Sequence, residues 1–180
     1  MIMLYFDNAS TTKISKSSLE SYINASEVFY NPSSLYTPSV IAKKIVEDAR
    51  NYFLKVLRAK QGSTIIFTGC ASESNNAVLN AVITRKDKKY IFSAGEHSSI
   101  YETAKKYKED GYNVVFIPLN CNGSINMQEL EKEIDNTTAL VSVIYVSNET
   151  GAVNDIKKIT AIAKSVNPNI VVHTDADSVK

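Results

Sequence analysis

Residues 139–175 read ALVSVIYVSNETGAVNDIKKITAIAKSVNPNIVVHTD, and this stretch decides the fold. It begins with the apolar run ALVSVIYV (139–146), which is typical of a strand covered on both faces. In the middle, Ile159 and Ala163 recur at helical spacing within a polar segment. The stretch closes with a second apolar run, NIVVHTD (169–175). A strand, a helix and a strand at this spacing predict a crossover unit and parallel pairing.

The same alternation of strands and helices extends toward the N-terminus. The predicted strands there are TIIF (64–67), KYIFS (89–93) and NVVFIPL (113–119). Two predicted helices begin at Val40 and Ser72. A third covers SSIYETAKKYKEDGY and ends near Gly111. A fourth begins after Asn126, which is the predicted cap, and has Glu129 three residues later. Residues 1–38 are rich in Ser, Thr, Asn and Pro, and we expect them to be irregular. The sequence therefore predicts a three-layer α/β fold, a mostly parallel sheet flanked by helices.

Composition narrows the classes of function. The chain has 180 residues, 44% of them hydrophobic, with 20 basic and 19 acidic side chains and a net charge of +1. This balance gives no reason to expect nucleic acid or an anionic membrane as a partner. The longest apolar run is too short to span a bilayer, and MIMLYFDNAS lacks the basic region of a secretory signal, so we expect a cytoplasmic location. Cys70 and Cys121 have no metal-like spacing, and a disulfide between them is not expected.

Ligands of open parallel sheets bind outside the carboxyl ends of the strands, so these ends are the places to look for chemistry. After TIIF, the small-residue turn TGCASESNN leads into a helix whose first positions are Ala71 and Ser72. Free backbone N–H groups and the helix dipole favour a phosphate there, and the Ser72 hydroxyl can add a bond. The alternative is that Ser72 only caps the helix.

Three more polar residues follow later strands. His97 lies at a strand-to-helix turn, where it is either functional or structural. Asn148 can donate to a ligand oxygen or form a turn with its own backbone. Asp175 lies two residues after His173, so the two side chains share one face of a strand. Pyridoxal phosphate could use the whole set: a helix N-terminus for its phosphate, a carboxylate for its pyridine nitrogen, an amide for its phenolic oxygen and a flat ring to stack on.

Six motifs in order resemble those of the cysteine desulfurases, pyridoxal phosphate enzymes of fold type I within the class V aminotransferase-like family. They are YFDNASTT (5–12), NPSS (31–34), IIFTGCASESNN (65–76), GEHSSI (95–100), VSNETGAV (146–153) and VVHTDA (171–176). The resemblance implies the N-terminal part of such an enzyme. Residues 39–180 would form part of its cofactor-binding large domain, with the C-terminal part and the small domain absent.

The resemblance also implies an activity and partners. The family works as a homodimer and removes sulfur from L-cysteine, giving alanine and an enzyme persulfide. That sulfur passes to acceptor proteins, including those of iron–sulfur cluster assembly. Selenocysteine lyases and other class V enzymes share these motifs, and they remain the alternative.

Site residues are implied position by position. Ala71 and Ser72 match the phosphate-binding pair, with Ser72 where the family usually has Thr. His97 matches the catalytic histidine that stacks on the cofactor ring and moves protons. Asn148 matches the amide beside the phenolic oxygen, and Asp175 matches the partner of the pyridine nitrogen.

The chain also departs from the family pattern. Ser178 stands where a Gln commonly touches the ring, and Tyr36 and Thr37 stand where a His and a Gly are usual. The family's Schiff-base lysine lies in a Ser-x-His-Lys motif that this sequence lacks, and the context of Lys180 does not match it. Neither cysteine has the context of the family's sulfur-accepting thiol. We therefore expect the chain alone to be inactive and to bind pyridoxal phosphate weakly or not at all.

Two rival hypotheses come from other classes. A metal-dependent hydrolase would use His97, His173, Asp175 and Asp177 as ligands. A non-catalytic half-domain would instead bind a partner or its own missing half. Apolar strands without their neighbours leave a hydrophobic surface, so we expect the chain to dimerise or aggregate.

Overall fold

The computed structural model describes residues 4–8 and 10–177. Helices and strands follow one another in the order α1 Lys16–Ser26, α2 Thr37–Val56, α3 Ala71–Val82, β1 Lys89–Ser93, α4 Ser98–Glu109, β2 Asn113–Ile117, α5 Met127–Glu133, β3 Thr138–Ser142, α6 Ile156–Val166 and β4 Val171–His173. The chain divides into two compact units, Met1–Phe67 and Thr68–Lys180. Within the described ranges, no helix combines the length and the apolar character that a bilayer crossing requires.

The first unit is helical and buries little. Helix α1 begins after Ser15, whose Oγ accepts a hydrogen bond from the Ser18 N–H at 3.1 Å. The expectation of an irregular segment over residues 1–38 is therefore wrong for α1. The serine-rich composition suggested a loop, but one of these serines caps a helix. Large apolar side chains stay exposed in this unit, and Leu35 and Phe6 are 97% and 89% accessible.

The second unit is built on a four-stranded parallel sheet in the order β2-β1-β3-β4. Phe92 of β1 pairs with Phe116 of β2 on one side and with Ser142 of β3 on the other. Ser142 in turn pairs with His173 of β4. This sheet confirms the predicted α/β class.

Helices cover both faces of the sheet and create two hydrophobic cores. Because side chains alternate along a strand, neighbouring residues of β1 belong to different cores. Helices α3 and α4 cover one face and α5 and α6 the other. The first core comprises Leu79, Ile83, Tyr90, Phe92, Ile100, Ala104, Val114 and Leu140. The second comprises Ile91, Ile117, Ile125, Leu130, Ile134, Val141, Val143, Ile159, Ala163 and Ile170.

Two predicted helix boundaries are confirmed. The Asn126 side chain accepts hydrogen bonds from the Gln128 and Glu129 N–H groups, both at 3.1 Å, and so caps α5. Helix α4 ends at Glu109, and Gly111 follows with a φ of +86°. Glycine adopts this left-handed conformation at little cost, which makes it the preferred residue just beyond a helix.

Several predicted strands are shorter than expected, and one is wrong. Residues 64–67 form no strand, and Ile66 and Phe67 are 77% and 48% accessible. A strand needs a neighbour for its hydrogen bonds, and the described residues give this segment none. Strand β3 ends at Ser142 rather than at Val146.

Candidate functional site

The carboxyl ends of β1, β3 and β4 border two clefts in the second unit. One cleft, of about 560 Å³, is lined by residues that include Ala71, His173 and Asp175. The other, of about 330 Å³, is lined by residues that include His97 and Asn148. Four of the five predicted cofactor-binding residues thus line one cleft or the other, and Ser72 lines neither. Both volumes lie in the range of small-molecule sites.

The N-terminus of α3 opens toward the larger cleft. Cys70 is the residue before the helix, and its side chain makes no capping hydrogen bond. Ser72 is the second helical residue and is exposed, so the alternative that it caps the helix is wrong. The first hydrogen bond of the helix runs from the Ser74 N–H to the Cys70 carbonyl. The N–H groups of Ala71 and Ser72 precede it and are therefore available to an anion.

His97 caps α4 through its ring. Its Nδ1 accepts a hydrogen bond from the Ser99 N–H at 3.2 Å, and the Ser99 Oγ lies 2.9 Å from the same nitrogen. A backbone N–H can only donate, so Nδ1 is the acceptor and the neutral ring carries its proton on Nε2. Nδ1 thus holds the exposed ring in place, and the Nε2–H group can donate to a ligand.

Asp175 is buried, with 7% of its surface accessible. Its Oδ2 accepts a hydrogen bond from the Asn75 Nδ2 at 2.9 Å, and its Oδ1 accepts one from the Asp177 N–H at 3.1 Å. A carboxylate has about four acceptor positions, so Asp175 retains capacity for another donor. Burial lowers the pKa of the neighbouring His173, and the negative charge of Asp175 acts in the opposite direction.

Asn75 joins the two clefts. Besides Asp175, its Nδ2 contacts the Ser99 Oγ at 3.1 Å, and Ser99 in turn contacts His97. A continuous hydrogen-bonded chain thus runs from the His97 ring through Ser99 and Asn75 to the Asp175 carboxylate. The sequence analysis singled out the two ends of this chain and missed Asn75 and Ser99. The signal that could have found Asn75 is a polar residue one helical turn after Ala71, on the face that carries Leu79.

Asn148 lies further from a strand end than the sequence suggested. It follows β3 by six residues, in a turn where the Gly151 N–H donates to the Ser147 carbonyl at 2.9 Å. The Ser147 hydroxyl, not the Asn148 amide, supports this turn by accepting from the Thr150 N–H at 3.2 Å. Asn148 is exposed at the rim of the smaller cleft.

These residues fit pyridoxal phosphate in donor and acceptor type. Ala71 and Ser72 present N–H donors, Asp175 presents a carboxylate with spare acceptor capacity, and His97 presents an exposed planar ring. The rival metal site does not assemble, since residues 4–8 and 10–177 contain no cluster of three or more His, Cys, Asp or Glu side chains suited to a metal. Both cysteines are free and exposed. Ser178 and Lys180 lie outside the described residues.

Known proteins resemble this chain in sequence. Cysteine desulfurase 2 of Trichormus variabilis is 35% identical over 179 residues, covering 98% of this chain and 44% of that protein. Cysteine desulfurase IscS 1 of Archaeoglobus fulgidus is 34% identical, covering 97% of this chain and 46% of that protein. The chain therefore spans about half the length of the curated relatives it matches.

Solved structures agree with the sequence relatives. A NifS-like protein superimposes with a TM-score of 0.91 at 34% identity, over 97% of this chain and 49% of its own. The structure described as SspA in complex with cysteine gives a TM-score of 0.86 at 32% identity, over 96% and 50%. The predicted resemblance to the N-terminal part of cysteine desulfurases is confirmed. The family model of the class V aminotransferases matches residues 4–179, and this chain belongs to that family.

Proposed function

We propose that this chain forms the non-covalent part of the pyridoxal phosphate site of a cysteine desulfurase. The observation that supports this most strongly is the hydrogen-bonded chain from His97 through Ser99 and Asn75 to Asp175. It connects the residue proposed to stack on the ring with the residue proposed to hold the ring nitrogen. Because both ends are held by one network, the two groups keep a fixed relation to each other.

Each residue has a defined task in this proposal. The N–H groups of Ala71 and Ser72 bind the phosphate at the start of α3. Asp175 accepts a hydrogen bond from the pyridine nitrogen and keeps a proton there. His97 stacks on the ring, and its Nε2 exchanges a proton with the substrate. Asn148 donates to the phenolic oxygen. When bound, pyridoxal phosphate supplies an electron sink for carbanions formed on the amino acid.

L-cysteine is the proposed substrate. The curated relatives are named cysteine desulfurases, and one structural neighbour is described in complex with cysteine. The products would be alanine and sulfur, with the sulfur passed to an acceptor protein. A selenocysteine lyase or another enzyme of the class V family is the alternative.

Association with further protein surface is part of the proposal. In the first unit, Phe29 and Leu35 expose 80% and 97% of their surface, and Ile66 exposes 77%. Apolar groups of this size are normally covered, so a second copy of the chain or the rest of a desulfurase would bury them. A homodimer is the arrangement that the family resemblance implies.

Binding of pyridoxamine 5′-phosphate tests the site. This cofactor form has no aldehyde, so it does not react with surface lysines, and calorimetry reports only non-covalent binding. We expect weak binding that falls about tenfold or more in Asp175→Asn, because the variant loses a charge-assisted hydrogen bond. Asp177→Asn keeps the N–H that Asp175 uses, so it is the matched control. Absence of binding, or equal binding by both variants, would contradict the proposed site.

Activity is tested by complementation. The chain is mixed with a polypeptide that corresponds to the C-terminal half of a cysteine desulfurase, and alanine and sulfide are measured after L-cysteine is added. Activity that needs both parts and is lost in Asp175→Asn supports the proposal. With pyridoxal phosphate and the chain alone, a Schiff-base absorbance that survives dialysis and disappears in Lys180→Ala would contradict the expectation that Lys180 is not the family's lysine.

A further inference from the structure

A second polar cluster joins the linings of the two clefts and has no task in the proposed site. It consists of Glu96 after β1, Ser142 at the end of β3 and His173 at the end of β4. Ser142 and His173 are register partners in the parallel sheet, so their side chains lie next to each other. The Ser142 Oγ lies 3.1 Å from the Glu96 Oε1 and 3.0 Å from the His173 Nδ1.

The two ends of this cluster lie in different surroundings. Ser142 is fully buried, and Glu96 is 8% accessible. The Glu96 Oε2 has no hydrogen-bond partner among the described residues. His173 is half-buried and lines the cleft that contains Asp175. Glu96 is among the residues that line the smaller cleft, but its Oε2 is buried. The cluster therefore connects a largely buried carboxyl group to a ring that lines the larger cleft of the proposed cofactor site.

We propose that Glu96, Ser142 and His173 form a proton relay, in which a proton held by Glu96 exchanges with the cleft through the His173 ring. The role of the relay rests on the proposed function, because His173 lines the proposed cofactor cleft. The relay itself can be tested in the ligand-free protein.

The proton transfer needs no reactant other than water. In the first state, Glu96 is protonated on Oε1 and donates to the Ser142 Oγ, the Ser142 hydroxyl donates to the His173 Nδ1, and the ring proton is on Nε2. The Ser142 proton forms a bond to Nδ1 as the Glu96 proton moves to Oγ, which gives a transient imidazolium ring. The Nε2–H bond of that ring then breaks, and its proton passes to water in the cleft. In the second state, Glu96 is a carboxylate and the neutral His173 ring carries its proton on Nδ1.

Charge explains why both states are accessible near neutral pH. Burial is the main cause that raises the pKa of Glu96 to about 8: hydrogen bonds from Ser142 and from the Ile144 backbone oppose it, and the negative charge of Asp175 adds to it. Burial also lowers the pKa of His173, which favours the neutral ring. A pyridinium nitrogen bound beside Asp175 would cancel part of that negative charge and favour release of the Glu96 proton. The relay would thus adjust the charge beneath the ring when the cofactor binds.

The tautomer of His173 is the quantity that separates a relay from a merely structural cluster. The chain has only two histidines, so ring-¹⁵N labelling gives two sets of signals, and His97→Gln assigns them. Magic-angle-spinning NMR measures them in ligand-free protein whatever its oligomeric state. As the pH rises through about 8, we expect the His173 proton to move from Nε2 to Nδ1, while the tautomer of His97 stays constant.

Two variants interrupt the relay at different points. Glu96→Gln removes the titrating group, and Ser142→Ala removes the connection, so each should abolish the change of tautomer at His173. A His173 ring that keeps one tautomer from about pH 5 to about pH 10 would overturn the relay, and so would a change that persists unaltered in a folded variant. The unmodified chain alone can refute the relay, by showing one His173 tautomer at every pH. The test therefore does not depend on whether the variants fold. Failure to bind pyridoxamine phosphate would instead count against the proposed function.

Discussion

Replacing Glu96 with Gln should become increasingly stabilising as the pH rises. Burial raises the pKa of Glu96 from 4.5 to about 8 in the folded state. Between these two values the folded chain holds a proton that the unfolded chain has released. The free energy of unfolding therefore falls as the pH rises through this window, and it becomes constant once both states are ionised.

The magnitude follows from the two pKa values. The buried Glu96 lowers the free energy of unfolding by about 1 kcal/mol at pH 5, by about 3 kcal/mol at pH 7 and by about 5 kcal/mol at pH 9, relative to a side chain that does not ionise. Gln has nearly the same shape and can still accept from Ser142, so it removes this pH-dependent cost. Its buried amide adds a penalty of about 1–3 kcal/mol. That penalty does not depend on pH, and the change with pH is therefore the reliable quantity.

Urea unfolding of both chains at about pH 5, 7 and 9 measures the effect. The difference in free energy of unfolding between Glu96→Gln and the unmodified chain should grow by about 4 kcal/mol over this range. The lowered pKa of His173 gives a slope of the opposite sign, but it is present in both chains and cancels in the difference. Glu131→Gln, which alters an exposed carboxylate of α5, is the control and should give a flat difference. A flat difference for Glu96→Gln as well would refute the reasoning.

Three further outcomes are expected. Asn75→Ala should lower the free energy of unfolding by about 1–3 kcal/mol in urea and weaken pyridoxamine phosphate binding in calorimetry, because it removes the donor to Asp175. Gly123→Ala should melt at a lower temperature than Gly151→Ala: both positions have positive φ, at +81° and +71°, but only at Gly123 would the new Cβ lie 2.6 Å from the Thr150 Oγ1. Light scattering at micromolar concentration should show dimers or larger species, and a stable monomer with a cooperative melt would contradict this.

The elements that the sequence predicted are those whose signal is local. Helices α4 and α6 have apolar residues at helical spacing, and strands β1 and β3 are short apolar runs between turns, so each could be recognised from its own residues. The segment 64–67 has the same apolar character, but strand formation also depends on a partner elsewhere in the chain. Helix α1 was missed because a serine that caps a helix and a serine in a loop look alike in sequence.

The site shows the same division between local and distant information. His97 and Asp175 were found because each follows an apolar run. Asn75 was missed, because its hydrogen bond to Asp175 joins residues 100 positions apart, and an Asn inside a helix usually faces solvent. The motif that contains it drew attention to Ala71 and Ser72 at the helix start instead.

The sequence also could not predict which of two carboxyl groups beyond the strand ends, Glu96 or Asp175, holds a proton. Glu96 and Asp175 are both buried, at 8% and 7% accessibility. Asp175 receives hydrogen bonds from a side-chain amide and a backbone N–H, whereas the Oε2 of Glu96 has no partner among the described residues. Donors stabilise a carboxylate, and a buried oxygen without a donor favours the protonated acid. Two nearby carboxyl groups in such different surroundings divide the roles between them: Asp175 is a hydrogen-bonded acceptor, and Glu96 is a store for a proton.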